Sequence, residues 1–131
     1  MQKKYLLALM LLFALPASAE WRQVAEGADG ALLFADFGTF RKDGSTIRFW
    51  QLTNFSKPKK AFGRDVFSLR ARVEFDCKQE RERLISISLF SDFFATGEVI
   101  TSEDTGTNWR DIPPDTVAST VFQSVCKSPS R

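Results

Sequence analysis

From Val66 to Cys77 the chain reads VFSLRARVEFDC. Phe67, Leu69, Ala71, Val73, Phe75 and Cys77 fall on one side of this run, and Ser68, Arg70, Arg72, Glu74 and Asp76 on the other. Strict alternation over such a length predicts a half-buried β-strand. It turns Cys77 toward the core and Asp76 toward solvent. Thr46 to Phe55 alternates as well, with Ile47, Phe49, Gln51, Thr53 and Phe55 opposite Arg48, Trp50, Leu52 and Asn54. Large apolar groups on both of its faces predict a strand covered on both sides. Shorter extended runs are predicted over 21–25, 31–37, 84–90 and 97–101. Gly27 to Gly30 reads as a turn, and Lys42-Asp43-Gly44 puts an Asp-Gly hairpin signal between two strands. Ser56 to Lys60 reads as a polar loop.

The period changes near the end of the chain. Val117, Ala118, Val121, Phe122, Val125 and Cys126 make a single stripe on a helix. Pro113 and Pro114 lead into it, Asp115 suits a helix start, and Pro129 stops it. The prediction is an α+β domain: an antiparallel sheet of about six strands with one C-terminal helix packed on it. A length of 131 residues fits one such domain.

The first residues follow a different rule. Lys3 and Lys4 precede an apolar run from Tyr5 to Leu15, which Pro16 breaks before the small residues Ala17-Ser18-Ala19. This is the pattern of a secretory signal peptide, too short in its apolar core to span a membrane. Residues 1–19 are read as that signal and 20–131 as the mature domain. Glu20, not a cysteine, follows the cleavage site, so the mature chain is expected to be periplasmic or secreted and without a lipid anchor. Loss of Lys3 and Lys4 brings the 18 basic residues down to match the 16 acidic ones. Nothing in that balance calls for a nucleic-acid partner.

Candidate chemistry is sparse. There is no histidine, which removes the commonest general base and the commonest metal ligand. Serines therefore lack a base, no pair of carboxylates converges by spacing, and no glycine loop fits a phosphate. No catalytic, cofactor-binding or metal-binding residue is expected, and the protein reads as a non-enzyme. Asp36-Phe37-Gly38 matches a kinase tripeptide without any of its companion motifs. Asn54-Phe55-Ser56 fits the glycosylation pattern but lies in a predicted strand, and no role follows. In an exported chain the two cysteines, Cys77 and Cys126, most simply pair. A redox pair would sit closer together, and a metal site would need more ligands. The charged segments Lys78 to Arg83 and Lys57 to Lys60 read as solvated loops. Either is a candidate patch for a partner, the second for an anionic polysaccharide or lipopolysaccharide. Phe37, Phe40, Phe93 and Phe94 flank predicted turns and read as core, with an exposed patch for another chain as the alternative.

Several of these residues recur in an order that resembles the surface-adhesin protein E family. Trp21 stands at the mature N-terminus, Asp36 closes the second strand, and the strand FWQLTNF follows. Next come a strand ending in Asp76-Cys77, an arginine-rich turn and a lone Trp109. Pro113-Pro114 then opens a helix closing on Val125-Cys126. The resemblance covers nearly the whole mature chain. It implies a sheet with a C-terminal helix held by one disulfide, homodimer formation, and binding to an extracellular-matrix or envelope protein. Only the two cysteines carry over as residues. The expected function is that of an exported, adhesin-like binding protein whose partner is a protein or a surface glycan. The alternative is a soluble periplasmic module that binds a small ligand or serves a stress response.

Overall fold

The computed structural model describes residues 19–106 and 108–127. Residues 1–18 of the expected signal peptide and the expected helix stop at Pro129 lie outside that range. The strands are β1 (Trp21–Glu26), β2 (Leu32–Asp36), β3 (Arg41–Asp43), β4 (Thr46–Ala61), β5 (Arg64–Asp76), β6 (Arg81–Phe90), β7 (Val99–Asp104) and β8 (Arg110–Asp111). One helix, α1 (Val117–Cys126), ends the described chain. All strands join one antiparallel sheet with the path β1-β2-β4-β5-β6-β7, while β3 adds to β4 and β8 to β6.

The sheet therefore has 8 strands rather than about six. The two additional strands are Arg41-Lys42-Asp43 and Arg110-Asp111. Both are exposed and polar, so they carry no hydrophobic alternation. Backbone pairing to the free ends of longer strands creates them. The hairpin at Lys42-Asp43-Gly44 does form, with Asp43 opposite Thr46 and Gly44 at φ +59 where a tight turn wants glycine.

The helix lies on the face bearing Ile47, Phe49, Ala71, Val73 and Phe75, and buries Val121, Phe122 and Val125 there. An aromatic chain runs through this layer: Phe40 to Phe49 at 5.6 Å, Phe49 to Phe75 at 5.0 Å, and Phe75 to Phe122 at 5.6 Å between ring centroids. Small side chains at Ala25, Ala35 and Ala71 share the same core. The helix begins at Thr116, whose hydroxyl accepts from Ser119 N at 3.1 Å. Asp115 lies one residue earlier, at φ +60, and so stands outside the first turn it was expected to occupy. Cys77 and Cys126 are joined, with Cα atoms 5.6 Å apart across a separation of 49 residues. Closing a loop of that size stabilises the fold by about 4 kcal/mol in the chain-entropy model.

Three local expectations are corrected. Ser56 to Lys60 is strand, not loop, because β4 runs on to Ala61 against β5. Lys78 to Arg83 is not one solvated loop: Arg81 to Arg83 already belong to β6. Phe93 and Phe94 do not join the main core but remain exposed.

Candidate functional site

The sheet's second face, away from the helix, carries the unusual chemistry. Antiparallel register places Trp50 opposite Arg72, Arg48 opposite Glu74, and Leu52 opposite Arg70. Arginines on one strand therefore stand beside a tryptophan on the next. The Arg70 guanidinium lies 5.2 Å from the Trp50 ring and 5.3 Å from the Phe90 ring, and Arg72 lies 5.7 Å from Trp50. Further along the same face, Arg81 and Arg83 lie 5.4 and 4.7 Å from the Trp109 ring. These are cation–π distances.

Carboxylates partner only part of this array. Glu74, 6% exposed, accepts from Arg48 Nε at 3.0 Å and from Arg83 at 2.8 Å. Asp76 pairs with Arg81 at 3.2 Å. Arg70 and Arg72 have no carboxylate partner among the described residues, and Arg70 Nε is buried without a hydrogen bond. Arg41 likewise has no carboxylate partner there.

A cleft of about 330 Å³ opens beside Trp50, lined by Gly38, Thr39, Phe40, Arg41, Arg48, Phe49, Trp50 and Arg72. Its origin is topological. β2 pairs with β4 only as far as Gln51, and β3 pairs only from Arg48. Between them the chain leaves the sheet through a short 3-10 turn at Phe37–Thr39. Asp36 fixes that turn by accepting from Gly38 N at 3.0 Å and from Glu20 N at 3.1 Å. Three arginines and one tryptophan with no carboxylate in the lining make an anion-accepting surface with an aromatic platform.

Asp76 is not the solvent-facing carboxylate that alternation assigned. It is buried, and its Oδ1 accepts from Gln79 N at 2.9 Å and Lys78 N at 3.1 Å. The Gln79 amide above all, then Arg81 and the Lys78 amide, hold its carboxyl below the ordinary range despite burial. It braces the turn that follows Cys77, whose own amide donates to Ser45 O at 2.8 Å. Glu74, on the same side of β5, is buried too, paired with Arg48 and Arg83.

Of the residues singled out from sequence, the structure joins Cys77 to Cys126 and brings Arg81 and Arg83 to the open face. It places Lys57 to Lys60 far from that face along β4. Among the described residues, no three His, Cys, Asp or Glu side chains gather as a metal site would require. No single run marks Trp50, Arg70 and Arg72 as a site; the signal lies in the paired alternations, once β4 and β5 are aligned as a hairpin.

The sheet and helix resemble solved structures of Haemophilus influenzae protein E. One matches with a TM-score of 0.61 at 14% identity, covering 82% of this chain and 83% of that one. Another, from a non-typeable strain, matches with a TM-score of 0.64 at 14% identity, covering 86% and 80%. At this identity the likeness speaks for the fold. No curated protein matches the chain. The family model for surface-adhesin protein E matches residues 21–127, and the chain belongs to that family.

Proposed function

We propose that this is an exported, non-enzymatic binding protein that acts through the half-buried sheet face around Trp50, away from the helix. The observation that carries this reading is the Trp50 ring flanked by Arg70 and Arg72, two guanidinia without carboxylate partners among the described residues. An unneutralised guanidinium beside an aromatic platform suits a carboxylate- or sulfate-bearing group, on a protein surface or on an acidic glycan. Membership of a surface-adhesin family supports a binding role over catalysis. Placement in the periplasm or outside the cell, after removal of residues 1–19, belongs to the same proposal.

The cleft's volume lies at the low end of small-ligand sites, which keeps the small-ligand alternative specific. It sits at the gap between β2 and β3, however, and not between sheet and helix, where the phenylalanine chain fills the space.

Binding of the mature protein to immobilised matrix proteins and to acidic polysaccharides tests the proposal. Arg72→Ala and Trp50→Ala should each weaken capture by about tenfold, the loss of one charge-assisted contact or one cation–π platform. Capture by both variants at wild-type strength would rule out this face.

A further inference from the structure

A second region, separate from the Trp50 face, carries an inference of its own. Among the described residues the exposed large hydrophobic side chains are Phe62, Phe93, Phe94 and Val99. All belong to one end of the sheet. Phe62 is the tip of the β4–β5 hairpin, and the other three lie in or beside the connection from β6 to β7. A contact from Arg64 to Glu98 at 2.6 Å ties the two segments together.

The tip of the hairpin runs past the sheet's other strands as a short arm, with Val66 buried at its base. β2 pairs with β4 only up to Asn54, and β6 pairs with β5 only from Ser68. Beyond those points the two strands pair only with each other, with Lys59 opposite Val66, Lys60 opposite Asp65 and Ala61 opposite Arg64, while side chains at Ser56, Lys59 and Arg64 still reach Asp29 and Glu98. Phe62 and Gly63 make the turn, with φ +52 and +70. Positive φ at both central positions favours Asn-Gly, and a bulky aromatic there is costly. Phe62 is also 74% exposed. Neither the turn nor the core gains from it.

The arm around it is basic. Lys57, Lys59, Lys60 and Arg64 surround the tip, against Asp65 on the arm itself. The ion pairs present, Lys59 with Asp29, Lys60 with Asp65 and Arg64 with Glu98, are between well-exposed groups and yield readily to a denser anionic surface. Lysines around an apolar tip match a surface that is anionic outside and apolar just beneath. A polysaccharide offers the first property without the second.

We infer that the β4–β5 arm docks on an anionic lipid surface, with Phe62 entering the headgroup layer and Lys57, Lys59 and Lys60 against lipid phosphates. The docking is peripheral, and no described helix is long and apolar enough to cross a membrane.

The test is flotation of the mature protein with vesicles of phosphatidylglycerol mixed equally with phosphatidylcholine, and with phosphatidylcholine alone. Wild-type protein should float with the mixed vesicles, lose binding as salt rises, and stay behind with phosphatidylcholine. Phe62→Asn keeps a residue suited to positive φ, so the turn survives. It should lower partitioning by about tenfold, the loss of a partly inserted ring. Replacing Lys57 and Lys60 by Gln should cost about fivefold for each lysine. Arg72→Ala should change nothing here, which separates this surface from the Trp50 face. Equal flotation with both vesicle types, wild-type partitioning by Phe62→Asn, or retention on soluble polyanions and proteins without flotation would each overturn the inference.

Discussion

Two guanidinium groups, those of Arg48 and Arg83, share the single carboxylate of Glu74. The carboxylate is buried, while both arginines remain partly in solvent. Removing it leaves two positive charges facing each other on a sheet that already holds Arg70 and Arg72 nearby. Loss of a partner from a buried pair costs several kcal/mol, but water screens the exposed arginine ends. Glu74→Ala should therefore destabilise the fold by about 2 kcal/mol, seen as a lower urea midpoint. An unchanged midpoint would mean that the array holds itself by stacking on the tryptophans. Asp76 makes a pH prediction. Its folded carboxyl is held below the unfolded value, so its contribution is complete at neutral pH and is lost as pH falls through the acid range. Asp76→Asn should be less stable than wild type near pH 7. The gap should begin to narrow below about pH 4 and go on closing as pH falls further, as urea unfolding across pH would show. Neither residue's role was visible in the alternation, which sorts side chains by face. That pattern has no information on whether arginines from neighbouring strands will roof a carboxylate over.

At the scale of elements, the sequence is clearest where one face is apolar and the other polar. α1 follows its pattern, and on β5 Ala71, Val73 and Phe75 enter the core as the alternation predicts, whereas Ser68, Glu74 and Asp76 on the polar face are buried as well. β4 is longer than its pattern, because beyond a register shift after Asn54 it pairs with β5 again at Lys59, Lys60 and Ala61, where no hydrophobic alternation marks a strand. β3 and β8 leave no periodic trace for the same reason. The Trp50 cleft depends on where β2 stops and β3 starts along β4, a matter of register that no single run reveals. The helix gives direct tests of what holds the layers together. Phe122→Ala removes the ring that ends the aromatic chain and should cost about 3–5 kcal/mol. Replacing Cys77 and Cys126 together by Ser should cost about 2–4 kcal/mol. Denaturant unfolding under non-reducing conditions measures both. A double serine variant as stable as wild type would mean that packing alone seats the helix.

For the whole molecule, the two proposed surfaces lie at different places on one long strand. Trp50 and Phe62 are both on or at the end of β4, and at the rise of an extended chain they stand roughly 35–40 Å apart. Effects at such a distance should be independent. A variant combining Trp50→Ala with Phe62→Asn should show each single loss unchanged, additive within about 0.5 kcal/mol in each assay. Departure from additivity would mean that the two surfaces serve one ligand. The sheet's open edges, β1 and β7, are guarded by charge: Arg22 and Glu26 on one, Glu103 and Asp104 on the other. Charges on edge strands discourage open-ended strand addition, which leaves the binding surfaces on a face and a tip.

The bond from Cys77 to Cys126 also sets a sequence of events during maturation. Cys126 closes α1, the last described element, so the Cys77 thiol must wait for a partner 49 residues further along the chain. The chain holds no third cysteine, so within one molecule that wait carries no risk of a wrong partner and never requires reshuffling. The one competing product joins two chains through their cysteines. Helix docking does not depend on protein concentration, whereas chain-to-chain coupling does. Dilution during oxidation therefore steers the protein to its native bond, and crowding steers it to covalent dimers.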